Sequence, residues 1–280
     1  MFQLKYAAPS KNLTEFVSAF YLFDSDEAEI EELERADIGQ FRFVYSGGGH
    51  VGYHDGSTQQ IFPISIYGPR NRVSRIFGHG PVRMFGFGMQ PAGWALLTRA
   101  NAFDHANTIS NAQIFAGGGI NDLAAELAPV TTLEEMVIVS EKWLHQAINT
   151  AEHIPLWFIR TVDAWLGSTL IPDIADLVAA TGLSRGQTER MIKQFYGATP
   201  KLLTRKYRAL RTANVIAQGE QEWQNFVGEA YYDQSHLIRE VREFTGMTPT
   251  AIKAALSRLT SLTFTRRRLG AQIAKLSAEI

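Results

Sequence analysis

Two arginines, Arg190 and Arg239, occupy matching places in two similar stretches of the chain, 49 residues apart. An arginine guanidinium donates two parallel hydrogen bonds to a planar pair of acceptors, and the O6/N7 edge of guanine in a DNA major groove is such a pair. The neighbours of each arginine suit the same target. Ser184, Arg185, Gln187, Glu189 and Lys193 surround the first; Gln234, Ser235, His236 and Arg242 surround the second. Serines, lysines and helix N-termini serve phosphate oxygens, and a glutamate accepts from a cytosine amino group. No catalytic group is required. One such stretch would be weak evidence, because arginines on ordinary helices are usually solvated; two with equivalent arginines favour recognition.

Helices must position these side chains. In IPDIADLVAATGLSRGQTERMIKQFYGATPKLL, Pro172 is suited to a helix start and Ile174, Leu177 and Val178 form an apolar face that ends near Gly182. Leu183 fills the angle, Ser184 caps a second helix, and Thr188, Met191, Ile192 and Phe195 point inward. WQNFVGEAYYDQSHLIREVREFTGMTPTAIKAAL repeats the plan, with Trp223, Phe226 and Val227 on a first helix, a turn at Ala230 and Tyr231, and Asp233 as cap. Leu237, Ile238, Val241 and Phe244 face inward, leaving Glu243 on the open side with the readers; GATP and GMTP close the two copies. This is the plan of a helix-turn-helix pair.

Charge divides along the same line. Residues 1–159 carry 10 Lys and Arg against 17 Asp and Glu, and residues 160–280 carry 17 against 11. A basic half beside an acidic one points to a polyanion facing the second half only.

The second stretch, YYDQSHLIREVREFTGMTPTAIK, resembles the signature of the AraC/XylS family of bacterial transcription regulators, supported by IADLVAATGLSRGQTERMIKQFYGATPKLLTRKYRALRTANVI in the first; together they cover roughly residues 165–260. The resemblance implies a long helix through Leu202, Tyr207, Leu210 and Val215 that holds both recognition helices on one DNA face, in successive major grooves. It also implies that Arg190 and Arg239 reach bases, with Gly186, Glu189, Ser235 and His236 beside them. Gly186 offers no side chain to a base, Ala230 stands where a turn glycine is common, and Ile192 and Val241 stand where phenylalanine is frequent. Thr188 replaces a larger apolar residue, which loosens the unit unless its methyl packs and its hydroxyl bonds back to the helix.

The N-terminal half reads as antiparallel β, with short aromatic and β-branched runs between glycine-rich turns and an alternation through Val82, Met84 and Phe87. IYGPRNRVSRIFGHGPVRMFGFGMQPAGWALL resembles a domain of unassigned activity that precedes the DNA-binding module in some family members. The expected class is α+β: a mainly antiparallel β regulatory domain over 1–110, a helical connection over 111–162 in which Thr132 and Glu135 form a capping box with Leu133, Met136, Val137, Trp143 and Leu144 as apolar positions, and an all-α double helix-turn-helix domain over 163–280. The acidic run from Asp24 to Asp37 reads as a solvated loop or exposed helix. Aromatic residues Phe43, Tyr45, Phe62, Tyr67, Phe85 and Phe87 suggest a modest ligand cavity, against the plainer reading of core packing.

Other chemistry is poorly supported. There is no cysteine, so disulfides, thiolate zinc and cysteine nucleophiles are excluded. His50, His54, Asp55 and His79 would form a metal site only if no turn intervened, and GGGH and GGGI lack the sequence of a phosphate loop and read as turns. No catalytic constellation, cofactor motif, secretory signal or membrane span is legible, and a cytoplasmic protein is expected. The expected partner is double-stranded DNA, with RNA polymerase, a small-molecule effector and a second copy of the chain as further candidates. The competing classes are a regulator with an enzymatic N-terminal domain and a helical adaptor that binds no DNA.

Overall fold

A computed structural model describes residues 1–116, 119–149, 154–219, 228, 230–254 and 258–278. Two long strands form the spine of the N-terminal half: β4 (Gly39–Gly52) and β7 (Ser74–Met89), paired antiparallel along nearly their whole length. β1 (Phe2–Ala7) and β2 (Val17–Ser25) extend the sheet on one side, and β6 (Ile64–Tyr67) and β8 (Ile109–Asn111) on the other, giving the order β1-β2-β7-β4-β6-β8. β3 (Glu29–Glu34) pairs with the first half of β7, and β5 (Thr58–Gln60) with the end of β4. The GGGH stretch lies inside β4 at a bulge where pairing to β7 shifts, so it is strand and not the expected turn.

Side chains alternate across this sheet with period two. Phe20, Phe41, Phe43, Phe85 and Phe87 share one face and pack ring against ring, with centroids 5.4–6.2 Å apart. Tyr21, Phe23, Gln40, Arg42, Val82 and Met84 share the other. Phe87 therefore stands opposite Val82 and Met84, contrary to the single alternation expected, and Phe43, Phe85 and Phe87 belong to a solid core and not to a cavity wall. The aromatic face is covered by α1 (Pro91–Thr98) and α4 (Leu133–Asn149), with α2 (Gln113–Ala116) and α3 (Gly119–Leu127) between them in sequence. Thr132 Oγ1 accepts from Glu135 N at 3.3 Å, one half of the expected box, and donates to the Glu135 carboxylate at 2.7 Å, while Leu133, Met136 and Leu144 are buried.

The acidic run is the largest departure from expectation. Ile30, Glu32 and Glu34 alternate inward along β3, and Asp37 is buried just beyond it. A solvated loop is ruled out because these carboxylates meet buried arginines: Glu34 meets Arg42 and Arg70, and Asp37 meets Arg35 and Arg266. Burial alone would raise the Asp37 pKa; Arg266, Arg35 and Arg70 outweigh it and hold the carboxyl well below the usual range.

From Leu156 onward the described chain is helical: α5 (Leu156–Ser168), α6 (Ile174–Thr181), α7 (Arg185–Tyr196), α8 (Pro200–Ala217), α9 (Gln234–Thr245) and α10 (Pro249–Ala254). α11 (Arg258–Phe264), a 3-10 stretch over Thr265–Gln272 and α12 (Lys275–Ala278) then return to the β-domain. There Arg258 pairs with Glu27 and Glu32, and Gln90 donates to Ser277 Oγ at 2.6 Å.

Candidate nucleic-acid interface

The first unit is built as its sequence requires. Asp173 caps α6 by accepting from Ala175 N at 2.9 Å, and the helix ends at Gly182. Ser184 caps α7 in a full capping box: its Oγ accepts from Gln187 N, and Gln187 Oε1 accepts from Ser184 N at 3.0 Å. Ile192 and Phe195 are buried. Thr188 is fully buried and donates to Ser184 O at 3.1 Å, so the polar atom is satisfied within the helix. Ser184, Arg185, Gly186, Gln187 and Arg190 are exposed, with Glu189 and Lys193 half-buried. Arg185 Nε donates to Glu189 Oε1 at 3.0 Å, and the Lys193 ammonium lies 5.2 Å from the Phe103 ring centroid, on the side of the β-domain.

In the second unit, Asp233 caps α9 by accepting from His236 N at 2.7 Å. Leu237, Val241 and Phe244 are buried, and Gln234, Ser235, Arg239 and Arg242 are exposed. His236 is half-buried; its Nδ1 accepts from Tyr232 N at 3.4 Å and its Nε2 lies 3.5 Å from Glu240. Glu243 is half-buried between Arg72 and Arg205. Trp223, Phe226 and Val227 of the expected first helix lie outside the described residues.

Glu240 was missed by the sequence reading. It is almost completely buried, and its carboxylate accepts from Arg205 Nε at 2.9 Å and from Arg208 Nε and Nη2 at 2.7 Å. These bonds tie α9 to α8, the long helix whose buried face includes Leu203, Tyr207 and Leu210. Its position three residues after the inward Leu237 and four before the inward Phe244 was the available signal.

The C-terminal ends of both helices meet the β-domain through backbone groups. Gln194 O accepts from Ala102 N at 2.8 Å and Gly197 O from Asn71 Nδ2 at 2.7 Å. Phe244 O accepts from Ala36 N at 2.7 Å and Glu243 O from Val73 N at 3.2 Å. Gly197 and Gly246 make this approach possible. Both have positive φ, and a Cβ on them would lie 2.9 Å from Ala102 O and from Val73 Cγ2 respectively. Between them Lys206, fully buried, donates to Asn71 Oδ1 at 3.2 Å and to Asp37 O at 3.4 Å, its pKa pushed down to about 8 by burial.

His50 and His79 share one face of the β4–β7 pair, opposite Phe77 and Gly48 respectively. His50 stacks on Phe77, the strand ends at Gly52, and His54 and Asp55 sit in the turn that follows. Among the described residues no group of three or more metal-ligating side chains occurs, and no helix is long and apolar enough to cross a membrane.

Residues 177–255 match the model of a family described as a helix-turn-helix domain. Among curated proteins nothing matches the chain. Solved structures that it resembles include an apo variant of ToxT from Vibrio cholerae strain SCE256, at 9% identity over 86% of this chain and 97% of that one, with a TM-score of 0.48. ToxT from Vibrio cholerae O395 aligns at 11% identity over 90% and 97%, with a TM-score of 0.45. The AraC-like transcriptional activator CuxR aligns at 13% over 79% and 82%, with a TM-score of 0.33. Residues 177–255 thus carry the matched helix-turn-helix domain, within which the capped helices α7 and α9 are joined by α8.

Proposed function

We propose that the protein regulates transcription by binding a specific double-stranded DNA sequence, with α7 and α9 in successive major grooves. The observation that carries this reading is the pair of capped helices, each exposing an arginine at the equivalent position, Arg190 and Arg239, and both fixed to α8. On this reading Arg190 and Arg239 read bases. Arg185, Gln187 and Glu189 flank the first, and Gln234, Ser235, His236 and Arg242 the second. Ser184 and Lys193 serve phosphate, Ser184 also closing its capping box. The division at 1–110, 111–162 and 163–280 separates a regulatory region, a connection and the DNA-binding region, with the last segment returning to brace the first. RNA polymerase, a small-molecule effector and a second copy of the chain are the further partners of such a regulator, and the cytoplasm is where it would meet them.

Selection from a randomised duplex pool tests the reading. The full-length chain is expected to enrich one sequence, to hold it at physiological salt over an unrelated duplex, and to lose affinity steeply as salt rises. Recovery of an unenriched pool would leave a helical adaptor as the better account.

A further inference from the structure

Counted back from their caps, the turns of the two units differ by one residue: Gly182 stands two before Ser184, whereas Ala230 stands three before Asp233. Leu183 fills the shorter turn and packs against the core. In the longer one Tyr231 takes that inward place; it is buried, with its hydroxyl 3.1 Å from Thr212 Oγ1 of α8. The additional residue, Tyr232, is left outside and is 94% exposed. Its backbone is nonetheless held: its N donates to His236 Nδ1 at 3.4 Å, and its neighbours are the buried Tyr231 and the capping Asp233. A rigid ring on an anchored backbone loses little freedom when it binds.

Tyr232 borders an open groove whose lining also includes Thr250 and Lys253 of α10, both exposed. Among the described residues neither the Tyr232 phenol nor the Lys253 ammonium has a hydrogen-bond or ion-pair partner. Asp233 lines the groove as well, but its carboxylate is spent on the cap, accepting from His236 N at 2.7 Å. The far end of α9 faces the β-domain, where Phe244 O accepts from Ala36 N, so the groove lies at the end that leads a recognition helix into DNA. We infer that the groove seats the phosphate backbone of one DNA strand, with Tyr232 donating its phenol to one phosphate and Lys253 neutralising a neighbouring one. Such contacts carry no sequence information; they set the depth and register at which α9 presents Arg239. The inference rests on the DNA-binding reading and adds to it a backbone grip that unit one, with Leu183 packed inward, does not share.

The full-length chain is titrated with its selected duplex and with an unrelated duplex over a series of salt concentrations, read by fluorescence anisotropy. Both side chains are exposed, so variants at either position should fold as the parent does. Tyr232→Phe, which removes one hydroxyl, should weaken both duplexes about tenfold and leave the salt dependence unchanged. Lys253→Gln should also weaken both, and should flatten the slope of log affinity against log salt by about one. Neutral methylphosphonate linkages, placed singly along the selected duplex, should reveal one position where the parent chain loses affinity and Tyr232→Phe loses no more. Parent-like binding by Tyr232→Phe, an unchanged salt slope in Lys253→Gln, or a Tyr232→Phe loss confined to one base-pair identity would overturn the assignment and leave the regulatory reading standing. A parent chain that prefers no duplex would remove both.

Discussion

Helix α7 is held to its surroundings by apolar packing through Ile192 and Phe195 and by the buried Tyr196 hydroxyl, which bonds Asp163 of α5, whereas α9 is held by a buried carboxylate gripped by two arginines of α8. Both arrangements fix a recognition helix, yet they respond differently to perturbation. Apolar packing loses energy roughly in proportion to the atoms removed. A buried ionic tie adds modestly when complete and is expensive when half of it is removed, because the remaining charge stays desolvated.

The largest test of that contrast is Glu240→Ala. It strands Arg208, leaves Arg205 with Glu243 alone, and should cost about 3 kcal/mol, read as a lower denaturant midpoint. A loss within the range of an ordinary surface substitution would show that α9 is held by its apolar face alone. Base reading comes next: Arg190→Ala and Arg239→Ala should each cost roughly 1–3 kcal/mol at one region of the selected sequence, with the regions separated by about one helical turn. Arg239→Ala should have the larger effect, because Gly186 offers no side chain beside Arg190 and Arg185 is paired with Glu189. Lys193→Ala should weaken all sequences evenly; a uniform loss for both arginine variants as well would reject them as base readers.

Smaller effects separate the units further. Ser184→Ala removes the capping box of α7 and should lower stability by about 1 kcal/mol, leaving α9, which Asp233 caps, unaffected in local hydrogen exchange. The smallest effect belongs to Asp163, whose pKa burial raises to about 6 although Tyr196 Oη donates to it at 2.8 Å. A carboxyl with its folded pKa above the unfolded value near 3.9 contributes its full stability below about pH 4 and loses it as pH rises through 6. Asp163→Asn should flatten that decline, by less than about 1 kcal/mol because the side chain is partly exposed. Unfolding midpoints at pH 4.5 and 7.5 that move in parallel for both proteins would reject it.

Much of the helical half was legible because its signals are local. Capping by Ser184 and Asp233, termination at Gly182, Gly197 and Gly246, and the 3.6-residue spacing of Leu237, Val241 and Phe244 depend on neighbours within one or two turns. Residue type also separated exposed Arg190 and Arg239 from the buried stripe. It gave no warning that His236 would lean toward Glu240 or that Gln187 would be spent in a cap.

What the sequence determined by itself was the presence of two matched capped helices, α7 and α9, the β character of the first half and the division of charge between halves. Only the tertiary structure decided where the acidic run goes. Glu34 and Asp37 are sequence neighbours of solvated acids, and their burial depends on Arg42 of the next strand, on Arg70 between β6 and β7, and on Arg266 of the C-terminal segment. The same holds for the sheet. Alternation says that Phe85 and Met84 face opposite ways, but pairing with β2 and β4 determines that the phenylalanines share a packed core while Met84 lines a cavity. The contacts from Ala36, Asn71, Val73 and Ala102 to the ends of α7 and α9 use mostly backbone groups, which carry no residue-specific signature and pair wherever the fold brings a donor to an acceptor.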